Sequence, residues 1–102
     1  MKANKAVILI VEDDETIVHI LSTILTSNGY NVIKAETGTM ARSMINSYHP
    51  DVILLDLGLP DMDGTEIIQW LRQNYGTSVL VVSAREEEEE KVRALDLGAD
   101  DY

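Results

Sequence analysis

Two near-continuous apolar runs each end in a carboxylate: Ala6-Val7-Ile8-Leu9-Ile10-Val11 leads straight into Glu12-Asp13, and Val52-Ile53-Leu54-Leu55 into Asp56. Short runs without polar alternation suit strands buried on both faces, the condition of a parallel sheet covered by helices. An acid placed directly after such a strand is delivered to the carboxyl edge of the sheet, where open α/β sheets bind ligands. Two further runs, Asn31 to Ala35 and Ser78 to Val82, are rich in the branched residues that suit a pleated surface.

Helix-length segments separate these runs, and strands alternating with helices build a doubly wound α/β domain. Ile17, Ile20, Leu21, Ile24 and Leu25 recur at helical spacing, and Asn28-Gly29 supplies a left-handed stop. Thr37 can cap a second helix bearing Met40, Met44, Ile45 and Tyr48, which must end near His49-Pro50. Asp63 with Glu66 reads as a capping box for a third helix with Ile67, Ile68 and Leu71, ending at Asn74-Tyr75-Gly76. A fourth is expected from about Glu86 to Leu97, its acidic run early and Lys91 and Arg93 later, in the order the helix dipole favours. Gly98 to Tyr102 looks like the lead into a fifth strand. Right-handed crossovers make 2-1-3-4 the natural strand order, which places the first and third strands side by side and draws Glu12-Asp13 and Asp56 together.

Composition bounds the rest. The chain of 102 residues, 45% hydrophobic, holds one domain with one continuous core. It has no cysteine, which excludes a disulfide framework and a thiolate metal site. No signal peptide or membrane span is visible, and the expected compartment is the reducing cytosol. A formal net charge of −10 argues against nucleic-acid contact by this domain, since phosphate-backbone affinity rests on clustered Lys and Arg.

Converging carboxylates without a basic partner repel one another, and a hard divalent cation such as Mg²⁺ is the simplest neutraliser. One carboxylate of such a site can attack a phosphoryl group while the cation offsets its charge. Asp56 is the candidate nucleophile, and Ser83, directly after the last apolar run, can donate its hydroxyl to a phosphoryl oxygen. An isolated acid after a strand is more often a turn former or helix cap, and Asp14, Glu15, Asp61 and Asp63 are read that way. His19 and His49 are assigned no role, Trp70 is read as packing, and the Glu86 to Glu90 run as a solvated helix face.

With these residues in view, the chain resembles the receiver domain of bacterial two-component response regulators along its whole length. The resemblance rests on Ile8-Leu9-Ile10-Val11-Glu12-Asp13-Asp14, on Leu54-Leu55-Asp56-Leu57-Gly58-Leu59-Pro60-Asp61-Met62-Asp63-Gly64, on Val82-Ser83-Ala84 and on Gly98-Ala99-Asp100-Asp101-Tyr102. It implies a flavodoxin-like fold and a cytoplasmic phosphoprotein, not an enzyme beyond slow self-phosphorylation and self-dephosphorylation. Asp56 would accept a phosphoryl group from a sensor histidine kinase. Glu12, Asp13, Asp56 and the backbone carbonyl of Gly58 would hold Mg²⁺. Ser83 matches the family's switch hydroxyl, and Tyr102 the aromatic that turns inward with it, a two-state pair biased by a charge change. The wording Leu55-Asp56-Leu57-Gly58-Leu59-Pro60 and Ser83-Ala84-Arg85 is most similar to the potassium-transport regulator branch, transcription factors with a winged-helix output domain.

The family also carries a lysine at the end of its fifth strand, past the position of Tyr102, where this sequence has ended. Lys2, Lys5, Lys34 and Lys91 lie elsewhere and are no substitutes. The resemblance therefore implies that residues 1–102 form a receiver domain lacking its last strand and helix, with the output domain outside this chain. An open edge along Val79 to Val82 is expected, and with it self-association or strand exchange. Two rival readings remain. One is a receiver-like interaction module that never carries phosphate. The other is a haloacid-dehalogenase-type phosphatase, because Asp61-Met62-Asp63-Gly64-Thr65 has that signature's letters, although Pro60 cannot sit in the central strand the signature should follow.

Overall fold

The structure of the protein, a computed structural model, describes residues 5–82 and 95–101. Its elements run β1 (Val7–Val11), α1 (Glu15–Ser27), β2 (Asn31–Ala35), α2 (Gly38–Tyr48), β3 (Val52–Leu55), α3 (Gly64–Asn74) and β4 (Ser78–Val81). The strands are all parallel in the order β2-β1-β3-β4, the expected doubly wound arrangement. β1 and β4 are each one residue shorter than the apolar runs that signal them. Ala6 and Val82 still take part in the ladder, through Ala6 O, which accepts from Asn31 N at 3.0 Å, and Val82 N, which donates to Leu55 O at 2.9 Å.

Both faces of the sheet are covered, which is why its strands read as unbroken apolar runs. Leu9, Val11, Ile53, Leu55, Val79 and Val81 share one core with Ala41 and Ile45 of α2 and Ile67, Ile68 and Leu71 of α3. Ile8, Ile10 and Leu54 point the other way, against Val18, Leu21 and Leu25 of α1. Each fully buried side chain of this size stabilises the fold by about 1.5–3 kcal/mol over its exposed state. The α1 stripe read from the sequence is wider than the face α1 buries. Ile20 and Ile24 are 52% and 53% exposed, and no α1 residue is fully buried.

Helix ends follow local chemistry. Asp14 caps α1, accepting from Thr16 N at 2.9 Å and Ile17 N at 3.2 Å, and Gly29 beyond its end takes a φ of 88°. Thr37 caps α2, and His49 closes it in the left-handed region at φ 47°, stacked at a tilt on Tyr75. The capping box of α3 is formed as expected: Asp63 accepts from Thr65 N at 2.9 Å, and Glu66 accepts from Asp63 N at 3.3 Å. Trp70 packs against the core with Arg42 over its ring and Tyr75 beside it. Of the expected fourth helix, Leu95 and Asp96 are helical; its acidic run, Lys91 and Arg93 lie outside the described residues.

The outer edge of β4 is not open, contrary to expectation. Asp100 N donates to Val79 O at 2.9 Å, Val81 N donates to Asp101 O at 3.0 Å, and Leu80 pairs in parallel with Asp101. The Asp100 carboxylate accepts from Val79 N at 2.7 Å. Residues 99–101 thus lay the start of a fifth strand on the edge, so the premise for strand exchange fails along Val79–Val81. Arg72 of α3 fastens this segment, donating to Gly98 O at 2.8 Å, to Thr77 O at 2.7 Å and to Asp100 Oδ2 at 3.2 Å. Replacing Arg72 with Ala removes all three donors and should lower stability by about 2 kcal/mol with an unchanged denaturant slope. Urea unfolding checks this, and a loss under about 0.5 kcal/mol, the range of ordinary surface changes, would contradict it.

Candidate metal centre

The parallel pairing of β1 with β3 sets Val11 opposite Leu55, so the residues that follow them emerge side by side at the carboxyl edge. Backbone bonds hold both exits: Asp56 N donates to Val11 O at 3.0 Å, and Glu12 N donates to Ala35 O at 3.0 Å. Glu12, Asp13 and Asp56 each offer a carboxylate oxygen, and these oxygens all lie within 4.8 Å of one another. The convergence expected from strand order is thereby met.

The three acids differ in environment. Glu12 is buried, Asp56 half-buried and Asp13 exposed. The Glu12 carboxylate accepts from Asp13 N at 2.9 Å and from Asp14 N at 3.4 Å. Burial nevertheless pushes its pKa up from 4.5 to about 7, reinforced by the hydrogen bond and charge of Asp56, against the lowering effect of the Asp14 amide. Among the described residues, no Lys or Arg comes within ion-pair distance of the cluster. Negative charge in excess, hard oxygen donors and an open side fit a small divalent cation that keeps some of its waters. A cleft of about 370 Å³ opens beside Glu12 and Asp13, walled by Glu15, Val18, His19, Lys34 and Glu36. The sequence reading gave His19 and Lys34 no part here; β2 ending beside β1 is what brings Lys34 to this wall.

Gly58, whose carbonyl is expected to join the metal's oxygens, is an exposed residue two past Asp56 in the loop between β3 and α3. The loop is folded tightly: Gly64 N donates to Leu57 O at 2.8 Å, and Gly58 bridges to Asp63. A side chain at Gly64 would place its Cβ 2.7 Å from both Asp56 O and Leu57 Cα, so glycine is what lets α3 begin against the backbone of Asp56. The sequence reading missed that close approach. Ser83 and Tyr102 lie outside the described residues. Asp61 and Asp63 stand apart from the acidic cluster and serve as helix caps, Asp61 bonding the first amides of α2 and Asp63 those of α3. The phosphatase signature therefore has both its acids engaged elsewhere.

Comparison with known proteins agrees with the geometry. The sequence profile of the response regulator receiver domain matches residues 8–102. The chain is 50% identical over 95 residues to the transcriptional regulatory protein KdpE of Staphylococcus aureus, covering 93% of this chain and 41% of that protein. It is equally similar, at 50% over 95 residues, to the KDP operon transcriptional regulatory protein KdpE of Escherichia coli, with 93% and 42% covered. These relatives bear out the regulator branch implied by the wording around Asp56 and Ser83, and the chain spans about two-fifths of their length. A solved response regulator from Burkholderia pseudomallei, carrying a phosphorylated aspartic acid and a calcium ion, superposes with a TM-score of 0.89 at 25% identity, over 96% of this chain and 58% of that one.

The raised pKa of Glu12 makes a signed prediction. The folded, metal-free chain holds this proton more tightly than the unfolded chain, so the stabilisation is complete below about pH 4.5 and is lost as pH rises through about 7. Glu12→Gln removes the titration. In chelator at pH 8 the variant should be more stable than the parent by about 2 kcal/mol, and at pH 4.5 the two should coincide. Urea unfolding at both pH values checks this, and a variant less stable at pH 8 would contradict it.

Proposed function

Because the chain belongs to the response regulator receiver domain family, we propose that it accepts a phosphoryl group on Asp56 from a sensor histidine kinase, with Mg²⁺ as the required cation. The observation that carries the reading is the meeting of three carboxylate oxygens within 4.8 Å at the mouth of two adjacent strands, with Asp56 among them. The solved relative with a phosphorylated aspartic acid and a bound calcium ion supports the pairing of aspartate chemistry with a divalent cation on this fold.

Glu12, Asp13 and Asp56, with the Gly58 carbonyl, are the groups that would hold the cation. When bound, it supplies positive charge to the oxygens of the group being transferred. An Asp56 carboxylate oxygen attacks phosphorus in line with the donor imidazole nitrogen. The new P–O bond forms as the P–N bond breaks, and the departing nitrogen keeps the electron pair and takes up a proton. Half-burial of Asp56 limits the water that can compete. Ser83 donates to the transferred group, and Ser83 with Tyr102 forms the switch that reports it. The chain then acts as the 1–102 receiver portion of a cytoplasmic transcriptional regulator, coupled to a DNA-binding output domain outside it. It makes no nucleic-acid contact of its own, in keeping with its charge of −10.

Intact mass after incubation with acetyl phosphate and Mg²⁺ tests the acceptor. One phosphoryl adduct is expected on the parent chain, none on Asp56→Asn, and none when a chelator replaces Mg²⁺. An adduct of equal yield on Asp56→Asn would overturn the assignment, and no adduct on a chain that still binds Mg²⁺ would favour the interaction module.

A further inference from the structure

Asp61 was read as turn chemistry, and its bonds reach much further than a turn. Its Oδ1 accepts from Gly38 N at 2.8 Å, and its Oδ2 accepts from Thr39 N at 3.0 Å and from the Thr39 hydroxyl at 2.9 Å. The loop between β3 and α3 is thereby fixed to the N-terminus of α2, more than twenty residues earlier in the chain. Met62 lies on the same helix end. A Cβ at Gly38 would come within 2.5 Å of its sulfur, so the glycine makes the seat for the thioether. The backbone amide of Gly38 holds the Asp61 carboxyl below the usual carboxylate range, so the contact is charged at neutral pH.

These bonds complete a circuit of contacts that runs through the backbones of Asp56 and Glu12. Asp56 N is bonded to Val11 O and Glu12 N to Ala35 O, which ties β3 to β1 and β1 to the end of β2. From Ala35 the chain enters α2 after Glu36 and Thr37, and α2 is where Asp61 takes hold. The segment held by Asp61 carries Gly58, the oxygen donor that depends on a loop and not on a strand end. Resting on the metal-site reading above, we propose that Asp61 is a positioning residue for that site, clasping the β3–α3 loop to α2 so that the Gly58 carbonyl and Asp56 are presented together to the cation. Partners that orient metal ligands without touching the metal typically govern affinity by about 10–100-fold.

The test is Mg²⁺ titration by calorimetry. Asp61→Ala should raise the dissociation constant about tenfold. Asp61→Asn, which keeps one acceptor oxygen, should fall between Ala and the parent. Asp51→Ala gives the comparison for a purely structural loss, since Asp51 accepts from Val7 N at 2.7 Å at the opposite end of β1; it should leave Mg²⁺ affinity unchanged. An Asp61→Ala chain that binds Mg²⁺ as the parent does, or an Asp51→Ala chain weakened equally, would overturn the proposal. If the parent binds no Mg²⁺, the metal-site reading fails separately, and the clasp is judged on the metal-free chain by amide exchange. Faster exchange at Leu57 and Gly58 in Asp61→Ala supports it, and unchanged exchange refutes it.

Discussion

The parallel pairing of β1 with β3 is the constraint on which the rest of this molecule depends. Register Val11 to Leu55 fixes where the apolar ladder stops, and the next residue on each strand is an acid. Hydrophobic burial on both faces makes that register costly to change, because a slip of one residue would turn Leu9, Val11, Ile53 and Leu55 toward the wrong helix layer. The fold therefore holds charges together that would separate if free to do so. The energy comes from the core and is spent at the edge.

The consequence shows in Glu12, whose proton is retained up to about pH 7 because burial disfavours its charge and the adjoining Asp56 adds to the effect. A divalent ion bound here would take the proton's place and offset the same charge. The neighbouring cleft continues the site toward β2, where Lys34 and His19 stand opposite Glu12 and Asp13. Side-chain bonds from Asp61 join the β3–α3 loop to the start of α2.

Much of this was legible because its signals are local. The capping box at Asp63 and Glu66, the stop at Asn28-Gly29 and the acids behind the strands are all written within a few residues of where they act. What was not legible depends on contacts across the chain. Periodicity announces the α1 helix but cannot say that Ile20 and Ile24 point outward, since that depends on which elements cover it. Asp61 carries turn composition whether it bonds solvent or α2. Gly64 looks like a helix start until Asp56 O is found 2.7 Å from where a Cβ would be. An open β4 edge is expected because the sequence ends at the start of a fifth strand, and only the bonds from Arg72, far off in sequence, show that this start already lies on the edge.

On the proposed function, the β1 and β3 exits together hold one divalent cation. Mn²⁺ in place of Mg²⁺ allows its position to be read directly, by paramagnetic broadening in the amide spectrum of the isotopically labelled chain. At low Mn²⁺, broadening should centre on the amides of Glu12, Asp13, Asp56 and Gly58, and excess Mg²⁺ should reverse it. Broadening centred on Asp61 and Asp63, or spread along the acidic surface without a centre, would contradict it.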